Sequence, residues 1–284
     1  MDLSILIPVY RWDVSRLTRD LDAQAQTLGV RYEILVADDE QLRLGRARIR
    51  NHLAEQAVGR WLLFIDCDAG VESATFLRDY LSAAERGAAS VVCGGLHHAA
   101  TMPSAAVSLR WRYERRADRH RTARCRQRRP CEHFTPFNFL IDRELFLSIR
   151  FDERVAEYGH EDTLFGRALA ERGITPLHID NPLVHLGLES NAQYLEKTRA
   201  ALRSLSRFRA DLRGYSSVLS AYALLQRLHL AGIAATLFTR HGSVLERQLL
   251  GTHPSLFLFK LYKLGYFATL KTDTGQASPV CNDD

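Results

Sequence analysis

The sequence has few cysteines, and none of its apolar segments is long enough to cross a membrane without interruption. The five cysteines have no spacing typical of a disulfide framework or a zinc site; they are Cys67, Cys93, Cys125, Cys131 and Cys281. The most apolar segment, 219–238, contains Gln226, Arg227 and His229, whereas a spanning helix needs about 20 apolar residues. No basic and apolar leader precedes the first strand pattern. We therefore expect a cytoplasmic protein without a transmembrane helix.

Glycine is missing where several classes of nucleotide-binding protein need it. The first apolar segment, LSILIPVY over 3–10, continues directly as RWD. A dinucleotide dehydrogenase needs G-x-G-x-x-G at this point, and a sugar-phosphate nucleotidyltransferase needs a glycine-rich phosphate loop. The absence argues against both classes. The nucleotidyltransferase is kept as an alternative function because it shares the general sheet architecture.

The composition is that of an ordinary globular protein with a basic excess. The 284 residues suit one large domain, or one domain with an appendage, and 46% of them are hydrophobic and 25% charged. The formal net charge of +5 favours anionic partners such as nucleotide phosphates, nucleic acid or an acidic membrane surface. A basic, non-enzymatic module that binds glycans or nucleic acid is therefore a second alternative.

Strand and helix patterns alternate over the first hundred residues and predict an α/β fold. Apolar strand patterns occur at 3–10, 32–39, 60–68 and 89–95, and helical patterns end at 28, span 44–58 and span 76–86. This alternation implies βαβ crossovers and a mostly parallel sheet, which binds ligands beyond the carboxyl ends of its strands.

The rest of the chain suggests a domain boundary near Gly214. A strand is predicted at 136–142, a helix from Glu161 to Gly173, two short strands around Asn181 and a long polar helix over 192–212. We predict a catalytic domain at 1–213, a C-terminal helical extension at 214–271 and a disordered tail at 272–284.

Two predicted strands end on acidic pairs. The run LLFIDCD ends on Asp66 and Asp68, and the preceding strand ends on Asp38 and Asp39. Two carboxylates at a strand end can hold a hard divalent cation, which in turn grips a diphosphate. Alternatively, such acids only end a strand and cap the next helix.

Four motifs in this order resemble the family 2 glycosyltransferases, nucleotide-sugar enzymes of the GT-A fold. They are ILIPVY, VADD, RNHLAEQAVGRWLLFIDCDAGV and, about ninety residues later, GHEDTLFGRAL. The resemblance covers about 3–187. It implies a Rossmann-like α/β/α sandwich and an inverting enzyme that moves a sugar from a nucleotide-sugar donor, a UDP-sugar by expectation, to a hydroxyl of a glycan or lipid-linked glycan.

The resemblance also implies roles for residues near the nucleotide. Pro8, Tyr10 and either Asp38 or Asp39 would line the nucleoside pocket, and Arg50 would lie near the nucleotide. The segment DDEQLRLG departs from the Gly-, Ser- and Thr-rich turn that is usual in the family. The choice between the two aspartates therefore stays open.

The remaining roles implied by the resemblance concern a metal ion and proton transfer. Asp66 would approach the ribose or the metal, Asp68 would bind Mn²⁺ or Mg²⁺, and His185 would be a further ligand or else a half-buried structural histidine. Asp162 would be the general base, and Glu161 would bind acceptor or donor hydroxyls. Alternatively, these last two acids are only favoured by a helix N-terminus.

Two basic regions suggest contacts outside the catalytic site. The arginine-rich segment 110–129 is either a flap that meets phosphates or a solvated helix face, and its few aromatic residues argue against nucleic acid binding. Apolar residues and lysines alternate over 256–271, which suits a peripheral contact with the inner face of a membrane, packing on the catalytic domain or a homodimer.

Overall fold

The computed structural model describes residues 1–86, 89–155 and 158–270. The strands are β1 (Leu3–Val9), β2 (Tyr32–Asp38), β3 (Trp61–Ile65), β4 (Ala69–Gly70), β5 (Val91–Cys93), β6 (Leu96–His97), β7 (Asn138–Asp142), β8 (Leu177–His178) and β9 (Leu183–His185). The helices are α1 (Ser15–Leu28), α2 (Asp39–Leu42), α3 (Arg46–Gln56), α4 (Phe76–Glu85), α5 (Ser108–Asp118), α6 (Ala123–Arg126), α7 (Arg143–Ile149), α8 (Glu161–Glu171), α9 (Asn191–Arg207), α10 (Ser217–Arg227), α11 (Ala231–Leu250) and α12 (Leu256–Thr269).

The central sheet has six strands in the order β2-β1-β3-β7-β5-β8. β1 is parallel to both neighbours, with Ile5 opposite Ile34 on one side and Leu63 on the other. β7 is antiparallel to β3 and β5, while β5 and β8 are parallel. The prediction of a mostly parallel sheet is confirmed, and β7 is the strand that departs from it.

Helices cover both faces of the sheet because its strands are apolar on both sides. In β3, Leu63 packs toward α1 and α4, whereas Leu62 and Phe64 pack toward α3, α7 and α8. All three side chains are fully buried. Such continuous burial explains why these strands read as unbroken apolar runs, and it gives the predicted α/β/α sandwich.

A second, smaller sheet joins two distant parts of the chain. Its strand order is β4-β9-β6, and β4 pairs antiparallel with β9 so that Ala69 faces His185. The Leu186 N–H donates to the carbonyl of Asp68 at 2.9 Å. The turn that follows β3 is therefore fixed against the end of β9.

The last three helices form a bundle with α5 and α9. Phe259 and Tyr262 of α12 are buried with Leu195 of α9 and Leu249 of α11, and Phe267 packs into a neighbouring cluster. The predicted helical extension is thus present. Because its helices share buried clusters with α5 and α9, the domain boundary near residue 214 stays a prediction. The tail predicted at 272–284 lies outside the described residues.

Within the described ranges, no single helix has both the length and the apolar character of a membrane span. The bent pair α10 and α11, whose axes meet at 115°, meets the length and composition criteria when its two helices are taken together.

Candidate active site

Two adjoining cavities lie beyond the carboxyl ends of β1 and β3. The larger cavity has a volume of about 450 Å³ and is lined by Pro8, Tyr10 and Arg50 among others. The smaller cavity, of about 240 Å³, is lined by Glu161, Asp162 and His185 among others. The two cavities share a wall formed by Arg46, Asp66, Asp68 and Glu189. The predicted acids of β3 and α8 therefore line adjoining cavities, which together we call the cleft.

Asp66 follows β3 directly and is held by a buried arginine. Arg50, with a side chain 3% exposed, donates from Nη2 to Asp66 Oδ1 at 2.5 Å. Burial raises the pKa of the Asp66 carboxyl and the nearby Asp68 charge adds to this, while Arg50 opposes both. One oxygen of Asp66 is thus committed to an ion pair that fixes the end of β3.

Asp68 lies in the turn between β3 and β4 and contacts β9. Its Oδ2 is 3.0 Å from Nε2 of His185, which is buried. Burial acts to raise the pKa of Asp68, but His185, Arg110 and Arg46 beside it together hold the pKa of that carboxyl below its ordinary value. A side chain at Gly187 would place its Cβ 2.3 Å from Asp68 Oδ2, so this position of the carboxylate requires glycine.

The second acidic pair sits at the N-terminus of α8. Gly159 and His160 precede it with φ angles of 104° and 74°, and a Cβ at Gly159 would meet Ala201 of α9 at 2.8 Å. This left-handed turn packs tightly against α9 and aims the first residues of α8 into the smaller cavity.

The two acids of this pair differ in their surroundings. Glu161 is buried, and its Oε1 lies 3.7 Å from Nη1 of Arg46. Asp162 accepts hydrogen bonds from the N–H and hydroxyl of Thr163 at 2.6 and 3.1 Å. Burial raises the pKa of Asp162, and the charge of Glu161 raises it further. A carboxylate with a raised pKa in a cleft is suited to accept a proton.

The two acids at the end of β2 have separate roles. Asp39 lines the larger cavity, and its Oδ1 accepts the N–H groups of Leu44 and Gly45 at 2.9 and 2.8 Å. Asp38 caps α2 by accepting the Glu40 N–H at 2.9 Å. Of the two aspartates left open by the sequence, Asp39 is the one at the cavity.

Several cleft residues escape sequence reasoning because they come from distant segments. Arg110 of α5 and Lys197 of α9 both pair with Glu189, whose position follows β9. Tyr158 lies between two cations, with Arg46 at 4.6 Å and Lys197 at 5.3 Å from its ring centroid. Only Arg46 has a signal in the sequence, since it lies one helical turn before Arg50.

The arginine-rich segment 110–129 provides two residues of the cleft. Arg110 and Arg121 line the smaller cavity. Arg126 is buried and donates to the carbonyls of Cys93, Gly94 and Ile179 at 2.8–3.2 Å. Most of α5 within this segment is half-buried, and the exposed arginines are Arg116, Arg119, Arg124, Arg128 and Arg129.

Asp68 and His185 suit one divalent cation, although the described residues contain no group of three or more His, Cys, Asp or Glu side chains arranged as a metal site. Their 3.0 Å separation is about that of two adjacent ligands in an octahedral shell with bonds near 2.1 Å. The carboxylate and imidazole are donors that Mn²⁺ accepts. The pair therefore fits a cation that takes its other ligands from water or a bound substrate.

Comparisons with known proteins agree with this arrangement. Residues 40–150 match the glycosyl transferase family 2. This segment includes Arg50, Asp66 and Asp68, whereas α8 and β9 lie beyond it. No curated protein gives a significant sequence match.

Solved structures with the same fold are glycosyltransferases of low sequence identity. A mannosyltransferase from Pyrobaculum calidifontis, in complex with GDP-Man and Mn²⁺, is 13% identical with a TM-score of 0.53, covering 94% of this chain and 84% of that one. Mannosyl-3-phosphoglycerate synthase from Rubrobacter xylanophilus is 15% identical with a TM-score of 0.50, covering 76% of each chain. TarS 1-349 of S. aureus is 16% identical with a TM-score of 0.45; the match covers 72% of this chain and 65% of the TarS chain. The likeness to the first two structures confirms the predicted GT-A fold.

Proposed function

We propose that this chain, which has the GT-A fold and is similar to glycosyl transferase family 2 over residues 40–150, is a glycosyltransferase that transfers a sugar from a UDP-sugar to a hydroxyl of a glycan or lipid-linked glycan with inversion. The observation that carries the proposal is the shared wall. Asp68 and Asp162 line one cavity, and Asp68 also lines the larger cavity beside it. Donor and acceptor can therefore meet at a single point.

The larger cavity is the proposed site of the nucleotide. Pro8 and Tyr10 would contact the nucleoside, and the free oxygen of Asp39 can accept an N–H of a uracil base. Arg46 and Lys197 at the inner end would face the diphosphate. A divalent cation, Mn²⁺ or Mg²⁺, held by Asp68 and His185 would supply positive charge to the departing diphosphate.

The smaller cavity is the proposed site of the acceptor. Six acids line it against three arginines, so its charge favours an uncharged hydroxyl over a phosphorylated acceptor. Asp162 takes the proton of the acceptor hydroxyl as the oxygen bonds to the anomeric carbon. The bond from that carbon to the diphosphate breaks on the opposite side, and UDP leaves. No covalent sugar-enzyme intermediate is involved.

Asp162→Asn tests this proposal. Loss of the base should lower transfer by about 10²–10⁴-fold while UDP affinity stays near that of the unchanged protein. UDP release measures the first quantity and calorimetry the second. Asp20→Asn, on α1 away from the cleft, is a matched control that should retain full activity. Transfer within tenfold of normal in folded Asp162→Asn would refute the assignment of the base.

The structure favours neither alternative function. Where a nucleotidyltransferase would carry a glycine-rich loop, the larger cavity is lined by Pro8, Val9, Tyr10, Arg11 and Trp12. A binding module would give no turnover with any of a panel of UDP- and GDP-sugars supplied with Mn²⁺ and mixed acceptors. The same panel identifies the donor.

We also propose that the enzyme works at the cytoplasmic face of a membrane, bound through an anionic lipid surface. The four described cysteines, Cys67, Cys93, Cys125 and Cys131, are free thiols, which supports a reducing compartment. The predicted contact at 256–271 offers Phe257 and Leu261 as exposed apolar side chains, since much of α12 packs inward.

The exposed apolar surface is larger on α10 and α11. We call it the helical ridge; its members are Leu224, Leu228, Leu230, Ile233, Leu237 and Val244, each at least 40% exposed. The last four fall within an arc of about 60° around α11, at 3.6 residues per turn. The side of α11 that packs on α12 is about a third of a turn away, where Phe238 fills the space beside Gly265.

The excess of basic residues around the helical ridge favours an anionic lipid surface as its partner. Between 214 and 270 the chain has five basic residues and one acid, Glu246, which is paired with Arg199. Arg240 and Arg247 lie on the same exposed side of α11 as the ridge. Apolar side chains with basic residues beside them suit an anionic bilayer surface better than a second copy of an equally basic surface.

Vesicle sedimentation tests this surface. The full chain should bind phosphatidylglycerol vesicles and bind phosphatidylcholine vesicles weakly, and the double change Ile233→Gln with Leu237→Gln should abolish the binding. Val58→Gln, at a 63% exposed apolar position outside the ridge, is the control. A homodimer in light scattering that the double change dissociates would contradict the lipid assignment, as would binding that the double change leaves intact.

A further inference from the structure

Four buried or half-buried side chains form a continuous row of polar contacts from the cleft into the protein. Asp68 Oδ2 lies 3.0 Å from His185 Nε2, His185 Nδ1 lies 3.1 Å from His98 Nε2, and His98 Nδ1 lies 3.2 Å from Asp118 Oδ1. His98 and His185 are 2% and 6% exposed. Neither His98 nor Asp118 is explained by the proposed mechanism.

These four side chains have one proton fewer than their three contacts require. Each of the three contacts needs one proton, an ionised carboxylate supplies none, and a neutral imidazole supplies one. The two histidines therefore fill two contacts, and the third places two lone pairs opposite each other. That contact needs either an imidazolium or another cation beside its atoms, such as a metal ion or the nearby guanidinium of Arg110.

The Asp118 end has no need of a further cation. Nη1 of Arg121 lies 3.3 Å from Asp118 Oδ1, and Nη1 of Arg115 lies 3.5 Å from Oδ2. The backbone N–H of His98 also donates to Oδ2 at 3.2 Å. With one imidazole proton Asp118 is fully satisfied, so His98 Nδ1 carries that proton and His98 Nε2 is left as an acceptor.

The contact that lacks a proton is therefore the one between Asp68 and His185. His185 Nδ1–H then donates to His98 Nε2, and His185 Nε2 presents its lone pair to Asp68. Arg110 Nη2 lies 3.4 Å from this nitrogen, and a guanidinium can only donate, which agrees with an acceptor at Nε2. Asp68 and His185 both line the smaller cavity, from which a cation can reach them.

We propose that His98 and Asp118 are positioning residues that hold His185 in its Nδ1–H tautomer, so that Nε2 and Asp68 together form a ready pair of metal ligands. The inference rests on the proposed metal-assisted transfer. A carboxylate that acts through histidines on a metal ligand orients the ligand and raises its basicity. His98 also lines the smaller cavity, but its proposed role rests on its contacts with His185 and Asp118.

Nitrogen NMR of the full chain tests the tautomer without any metal. In protein labelled with ¹⁵N-histidine, long-range proton–nitrogen spectra should show His185 protonated on Nδ1 and bare on Nε2, with His185→Gln used to assign the signals. An Nε2–H tautomer or an imidazolium at His185 at neutral pH overturns the inference, whatever the transfer reaction requires.

Manganese affinity provides a second readout that is independent of turnover. His98→Leu removes the acceptor for His185 Nδ1–H and should weaken Mn²⁺ binding by about 10–100-fold, measured from the EPR signal of free Mn²⁺. His98→Gln keeps an oxygen near the position of Nε2 and should retain most of the affinity. Equal losses in both variants, or unchanged binding in His98→Leu, contradict a role through the tautomer.

Asp118, at the other end of this row of side chains, offers a parallel pair of variants. Asp118→Asn keeps an acceptor for His98 Nδ1–H and Asp118→Leu does not, so the second should lose more affinity than the first. Where the leucine variants do not fold, as judged by thermal melting, the tautomer of the unchanged protein decides. If the tautomer and the Mn²⁺ affinities are as expected but transfer does not require a metal, the metal dependence of the proposed function is refuted. This inference about His98 and Asp118 then still holds.

Discussion

The larger and smaller cavities differ in how their charges are balanced. Four acids and four basic residues line the larger cavity, whereas six acids face three arginines in the smaller one. In the first, Asp39 is tied to backbone N–H groups, and Asp66 of the shared wall is tied to Arg50. In the second, Glu161 helps to raise the pKa of Asp162. One cavity is built to hold charge in place and the other to accept a proton.

The largest effect is expected at the ion pair that stabilises the shared wall. Arg50→Met would leave Asp66 partly buried beside Asp68 without its partner, which should cost about 3 kcal/mol of unfolding free energy. Urea denaturation measures the loss. Arg48→Met, two positions before Arg50 on α3, removes a 57% exposed partner of Glu153 and should cost under about 1 kcal/mol. Equal losses of unfolding free energy in the two variants would show that the shared wall does not depend specifically on Arg50.

Sequence reasoning anticipates the strands and the acids better than the balance of charge. Continuous apolar runs predict β1 and β3 because both faces of those strands are covered, and acids such as Asp66 follow from the strand ends. The insertion of β7 between β3 and β5 depends on tertiary packing that no local pattern records.

The unpredicted cleft residues have the same cause. Glu189 reaches Arg110 and Lys197, and His98 reaches His185, only because the small sheet joins β4, β6 and β9. Their separation in the chain leaves no spacing to read. A family resemblance supplies roles for acids that recur in motifs, whereas residues that position those acids have to be found from the fold.

A steric change at the shared wall should reduce metal and donor binding without unfolding the protein. Gly187→Ala would push its Cβ against Asp68 and displace the carboxylate, and we expect Mn²⁺ affinity to fall on the order of tenfold. Calorimetry with UDP and Mn²⁺ measures it. Gly232→Ala, where an added Cβ meets nothing, is the matched control and should change neither binding nor melting temperature. Unchanged affinity in Gly187→Ala would show that Asp68 can move freely.

The pH dependence should separate the two cavities. Asp162 must be ionised to accept a proton, so kcat/KM should fall as pH drops through its raised pKa. Lys197 of the larger cavity has a pKa lowered to about 8 by burial and by Arg46 and Arg110, so donor binding should weaken as pH rises through that value. The groups that face Lys197 are Glu189, Tyr158, Arg46, Arg110, Asp68 and Cys67.

Two variants assign the limbs of this profile. Glu161→Gln removes a charge that raises the pKa of Asp162, so the acidic limb should move to lower pH while the alkaline limb stays in place. Lys197→Met should remove the alkaline limb and leave the acidic one. A Glu161→Gln profile identical to that of the unchanged protein would show that another group is the base.

The smallest effect is expected at the outer edge of the larger cavity. Tyr10 is 55% exposed with Arg11 against its ring at 5.2 Å, so it can contact a nucleoside without being part of the core. Tyr10→Ala should weaken UDP binding by about 1 kcal/mol, seen as a higher donor KM with kcat nearly unchanged. Phe257→Ala, at a more exposed aromatic residue on α12, should leave donor KM unchanged. A fall in kcat with KM constant would instead place Tyr10 at the reacting sugar, and the division of roles between the cavities would then be wrong.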